Sequence, residues 1–155
     1  MTAMTEAHAG AESKYFLLNT DGGLASSYGS RGSGDPLPHA AIGVILRTRK
    51  LRAVAQTSKG IGRATHNEAE YKGLIEGLAL ARAHGVRNIR VYMDSELVVD
   101  QMNDRSTIKK PELRELHAVA KGLAMEFESF RLSWVPRELN PEADQLVREA
   151  LRAIE

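Results

Sequence analysis

The chain has no cysteine among its 155 residues. That excludes disulfides, thiolate zinc, iron–sulfur ligation and a thiol nucleophile. No apolar run approaches the roughly 18 residues that cross a bilayer. Met1 to Ser13 lacks the apolar core of a secretion signal. Residues 1–13 are small, polar and aperiodic, and read as a mobile tail before one domain over 14–155. These absences set the expectation of a cytoplasmic monomer with no membrane partner. Acidic residues are missing from Pro36 to Asn67, a segment holding six bases: Arg47, Arg49, Lys50, Arg52, Lys59 and Arg63. That leaves 15 of the 21 bases against all 20 acids elsewhere, so a net charge of +1 hides an asymmetry. The arrangement suits a polyanion and metal-binding carboxylates, although a solvated basic hairpin also accounts for it. At 43% hydrophobic and 26% charged, what is present is an ordinary globular composition.

The apolar periodicity predicts one mixed α/β domain. Tyr15 to Leu18 starts a strand that ends near Asp21. Gly22 to His39 is rich in glycine, serine and proline, a composition that predicts a long loop. Ala41–Leu46 and Leu51–Thr57 read as strands joined by a basic turn, Arg47 to Lys50. Thr65 with Glu68 makes a capping box for a helix ending at Gly85; Asn67 with Glu70 offers the same box two residues later. Its stripe is Tyr71, Leu74, Ile75, Leu78 and Ala81 or Arg82. Ile89, Val91 and Met93 alternate as a strand, and Asp94 and Ser95 can cap a short helix to Met102. Pro111 opens a helix with the stripe Leu113, Leu116, Ala120, Leu123 and Phe127. Phe130 to Trp134 is a fifth strand. Asn140 and Pro141 open the last helix as cap and first residue. Short connections make the first three strands antiparallel, and helical crossovers make the later ones parallel.

Several acids then fall at element ends. Asp21 and Asp94 close strands one and four, while Glu70 and Asp144 lie in early helical turns. If strands one and four are parallel neighbours, Asp21 and Asp94 meet at the carboxyl edge, where α/β sheets gather ligands. Like charges there call for a cation, and hard divalent ions take carboxylate oxygens. Each acid also has a simpler role: Asp94 as a cap, Glu70 as a box partner, Asp144 as a complement to the helix dipole, Asp21 as a turn residue.

At these residues the chain resembles type 1 ribonuclease H, the nuclease that cuts the RNA strand of RNA/DNA hybrids. The likeness runs from about Tyr15 to Ile154. It is carried by Thr20-Asp21-Gly22-Gly23, by Thr65-His66-Asn67-Glu68-Ala69-Glu70-Tyr71, by Asp94-Ser95-Glu96-Leu97-Val98-Val99, and by Val135 to Asp144. The resemblance implies a ribonuclease H-like fold, a mixed five-stranded sheet flanked by helices. It implies that Asp21, Glu70, Asp94 and Asp144 are catalytic and hold two Mg²⁺ ions, or Mn²⁺, and that the ends made are 5′-phosphate and 3′-hydroxyl. Gly22, Gly23, Thr65, His66, Asn67 and Arg137 fall at its substrate-binding positions. His66 stands where the family often has asparagine. The usual histidine some ten residues before the last aspartate is missing, and His117 on the preceding helix is a poor substitute. The basic segment supplies candidate backbone contacts. The competing expectations are a non-catalytic ribonuclease-H-like binding module, and another two-metal nuclease on the same fold.

Overall fold

The structure, a computed structural model, describes residues 14–25 and 36–154. The tail 1–13, the glycine- and serine-rich 26–35 with Arg31, and Glu155 lie outside the described residues. The elements follow in the predicted order. They are β1 (Phe16–Leu24), β2 (His39–Thr48), β3 (Ala53–Arg63), α1 (His66–Ala83), β4 (Asn88–Met93), α2 (Glu96–Met102), α3 (Pro111–Ala124), β5 (Ser129–Trp134) and α4 (Pro141–Ile154). A 3-10 turn at Arg137–Leu139 precedes α4. The sheet order is β3-β2-β1-β4-β5. The first three strands pair antiparallel, and β1–β4 and β4–β5 pair parallel. No helix of the described residues is long and apolar enough to cross a membrane.

The core lies between one sheet face and helices α1 to α3, around Leu18, Ile42, Tyr71, Leu74, Val91 and Met93. Two missing side chains set how closely α1 lies on β1. A Cβ at Gly22 would stand 2.3 Å from the Ala69 backbone, and one at Gly73 would stand 2.7 Å from the Asp21 carbonyl. Glycine at both positions presses the first turns of α1 onto the middle of β1. Helix α4 covers the opposite face over β1, β2 and β3, with its Ala143, Val147 and Ala150 against Ala41 and Gly43.

Several boundaries differ from expectation. β1 runs through Gly22 and Gly23 to Leu24, because Gly22–Leu24 pair with Ala40–Ile42 of β2. Glycine signals a turn in sequence, but here it serves close helix packing inside a strand. β3 starts at Ala53 and continues past Thr57 to Arg63, held by β2 through irregularities at Ala40/Ala41 and Leu46/Arg47. Leu51 belongs to the turn instead, with φ of 66°. Phe127 lies beyond the end of α3 yet is buried in the same core. Arg82 is exposed and pairs with Glu126.

The predicted basic turn falls at the end of the sheet opposite the acids. Thr48 is opposite Phe16 while Gly43 is opposite Asp21, so Arg49, Lys50 and Arg52 extend beyond the start of β1. Arg47 is bound to Glu142 at 2.7 Å, and Lys59 pairs with Glu76. The segment is therefore not one basic surface facing the acids, because the antiparallel register divides it.

Candidate active site

β1 and β4 run in register from Phe16 opposite Ile89 to Asn19 opposite Tyr92. Counting two residues onward sets Asp21 beside Asp94, where the ladder has stopped and the strands part. This is the crevice that parallel strands open at their carboxyl ends. The capping around it leaves the acids free. Ser95 caps α2, accepting from the Val98 N–H at 3.2 Å, so Asp94 does not. Thr65 and Glu68 complete the α1 box in both directions, so Glu70 is not a box partner. Glu70 accepts instead from the Gly22 N–H at 2.7 Å. Asp21 is a strand residue, not a turn residue.

Asp21, Glu70 and Asp94 each offer a carboxylate oxygen, all within 4.8 Å of one another. Asp144 is not in that group but lines the same cavity, of about 680 Å³, from the first turn of α4. It is held by Arg148 at 2.8 Å and Arg137 at 3.6 Å. Burial raises the Asp21 carboxyl to about 7, helped by the charges of Asp94 and Asp144 and opposed by hydrogen bonds from Glu70 and Gly22. Glu70 is pushed well above the usual carboxyl range, first by burial and then by the charges of Asp21 and Asp94. Burial and the neighbouring acids thus favour the protonated form of both carboxyls.

That chemistry fits a hard divalent cation. Three converging carboxylates, none of them in an ion pair among the described residues, form an oxygen-only donor set. Asp21, Glu70 and Asp94 would hold the ion. Asp144 faces the same cavity with its charge already met by arginine.

The expected substrate residues separate. Gly22, Gly23, His66 and Arg137 line the cavity. Thr65 and Asn67 are not part of its wall, and Thr65 is engaged as the α1 cap. The space a Cβ on Gly22 would need is filled by the Ala69 and Glu70 backbone of α1. His117 packs against Tyr71 and Gln101, away from the acids.

Two residues contribute to the site in ways that were not expected from the sequence. Asn140 was expected to cap α4, but its buried side chain bridges three elements. Its amide donates to the Thr20 carbonyl at 3.0 Å and to Asp94 Oδ2 at 3.2 Å, and its Oδ1 accepts from Asn19. It fixes Asp94 at the point where β1 and β4 diverge. Arg148, one helical turn after Asp144, was readable from the i, i+4 spacing alone.

Comparison with known proteins agrees with this architecture. A family model described as reverse transcriptase-like matches residues 33–150. A bifunctional protein of Mycobacterium tuberculosis is 42% identical over 125 residues, covering 81% of this chain and 34% of that protein. The chain therefore spans about a third of the length of that relative. Ribonuclease HI of Halobacterium salinarum is 37% identical over 131 residues, covering 84% of this chain and 65% of that one. The crystal structure of RNase H1 from Halobacterium salinarum superposes with a TM-score of 0.79 at 34% identity, over 90% of this chain and 98% of that one. LC11-RNase H1, solved in complex with an RNA/DNA hybrid, gives a TM-score of 0.77 at 34% identity, over 90% and 99%. The chain belongs to the reverse transcriptase-like family and, within it, to the type 1 ribonucleases H.

Proposed function

We propose that this chain, as a type 1 ribonuclease H, is a metal-dependent endonuclease that hydrolyses the RNA strand of RNA/DNA hybrids. The observation that carries the reading is the convergence of Asp21, Glu70 and Asp94 at the parting of β1 and β4. Two divalent cations, Mg²⁺ or Mn²⁺, would supply the positive charge that makes water a nucleophile at neutral pH and offsets charge on the leaving oxygen. Asp21, central in the cluster, is the natural shared ligand. Gly22 fixes Glu70, Asn140 fixes Asp94, and Arg148 fixes Asp144. In the reaction a water oxygen bonds to phosphorus as the bond to the 3′ oxygen breaks. The water gives up a proton and the leaving oxygen gains one, producing 5′-phosphate and 3′-hydroxyl ends. His66 and Arg137, both lining the cavity, are candidate contacts to the nucleic acid. Contacts to its backbone carry no sequence information, so cleavage is expected to be broadly sequence-independent.

The ion pairs of Asp144 with Arg137 and Arg148 favour a second reading, a binding module without catalysis, since the fourth acid is already neutralised. Labelled RNA/DNA hybrid, duplex RNA and duplex DNA, each incubated with Mg²⁺ and with chelator, separate the readings. Mg²⁺-dependent cutting of hybrid alone is expected. Hybrid binding without cutting favours the module, and cutting of duplex DNA favours another two-metal nuclease.

A further inference from the structure

Helix α4 leaves one part of its sheet face bare. It packs over β1, β2 and β3, and no helix of the described residues runs along that face of β4 and β5. Alternation decides which side chains stand there. Ile89, Val91, Met93 and Leu132 point into the core, so Arg90, Tyr92, Arg131 and Ser133 point the other way. The register aligns them in rows: Arg90 is directly opposite Arg131, and Tyr92 opposite Ser133. Tyr15, on the same side of the chain before β1, lies under the Arg90 guanidinium at 3.7 Å from its ring centre.

This row has no return within the fold. Like charges directly opposite one another destabilise a sheet. Neither arginine has a carboxylate partner among the described residues. The row continues through Leu17 to Arg47, whose charge Glu142 meets, and then to the exposed Arg49, Lys50 and Arg52 of the β2–β3 turn. An anionic partner would relieve the repulsion. The rings of Tyr15 and Tyr92 beside the guanidiniums add flat apolar surface, which suits bases as well as phosphates. Bases are free to stack only in a single strand. Arg90, over the ring of Tyr15, carries guanidinium N–H groups that can donate to phosphate.

The face also adjoins the acids. Three residues of β4, Val91 to Met93, separate Arg90 from Asp94, about 13 Å along the strand. We propose that the bare face of β4 and β5 is a binding platform for single-stranded nucleic acid, with Arg90 and Arg131 holding phosphates and Tyr92 a base. It goes beyond the hydrolytic reading and stands or falls separately, because the test needs no cleavage.

The test is a titration of the ¹⁵N-labelled full chain with a 20-residue oligothymidylate in chelator, followed by amide shifts. Shifts at Arg90, Tyr92, Arg131 and Ser133 are expected, with affinity falling as salt rises, by a slope of about 0.7 per phosphate engaged. Arg131→Glu should weaken binding about tenfold, and Arg131→Lys should retain most of it. Arg131 is exposed and outside the cavity, so Arg131→Glu should cut a blunt hybrid with unchanged kcat and KM. Shifts confined to Asp21, His66 and Asp94 would overturn the proposal, as would full affinity in Arg131→Glu. So would a decaglutamate peptide that gives the same shifts at equal affinity, which would assign the face to an acidic protein segment.

Discussion

Glu70 and Tyr71 are consecutive residues of α1, both essentially excluded from solvent, and their surroundings treat them oppositely. Tyr71 faces the core, where its hydroxyl donates to Gln101 Oε1 at 2.6 Å and burial pushes its ionisation up to about 12. It is a buried polar group with a partner and no charge. Glu70 faces Asp21 and Asp94, where burial and two nearby acids oppose its charged form. One helix position thus separates a region arranged for stability from one arranged against it. The difference teaches that the repulsion in the acid cluster is local: α1 is anchored by the core side and holds Glu70 in place regardless.

The strongest way to break the comparison is to remove the charge of the cluster. Asp21→Asn or Asp94→Asn should lower Mg²⁺-dependent hybrid cleavage by about 10³-fold or more while circular dichroism stays native. Unchanged turnover in either variant would take the acids out of the site.

The next largest effect is steric and tests how the two regions are joined. Gly22→Ala places a methyl against the Ala69 backbone, which has no flexible end to yield. It should cost about 3 kcal/mol in denaturant unfolding and displace Glu70 as well. A stability loss without a change in cation affinity would show that the Gly22 contact does not position Glu70.

Tyr71→Phe sharpens the contrast from the core side. It leaves Gln101 Oε1 without its donor and should cost about 1–2 kcal/mol. Cleavage at saturating Mg²⁺ should stay within about twofold if the core side serves stability alone. A large fall in kcat would show that the two faces of α1 are coupled.

Much of this was legible before the fold. Short connections between the first three strands and helices between the later ones determined the mixed sheet, and that sheet brought Asp21 beside Asp94. What was not legible depends on register, which no local pattern encodes. Gly22-Gly23 looked like a turn because glycine's role in close packing shows only when α1 lies against it. That Arg49, Lys50 and Arg52 lie at the far end of the sheet from the acids follows only from the pairing of Thr48 with Phe16. Asn140 stood out as a helix cap, and only the tertiary approach of β1 turns its amide to Asp94.

A divalent cation bound by the cluster should displace the protons that the raised Asp21 and Glu70 carboxyls hold. Because the Asp21 carboxyl is raised to about 7, the folded metal-free protein binds more protons than the unfolded chain between about pH 4 and 7. Its stability therefore falls as pH rises through that window, and added cation should restore it most at pH 8. Calorimetric titration of Mg²⁺ into metal-free protein near pH 6.5, in buffers of different ionisation enthalpy, measures the displacement directly. Cation binding with net proton release is expected, with loss of both in Asp21→Asn. Binding without proton release, or binding that Asp21→Asn leaves intact, would contradict it.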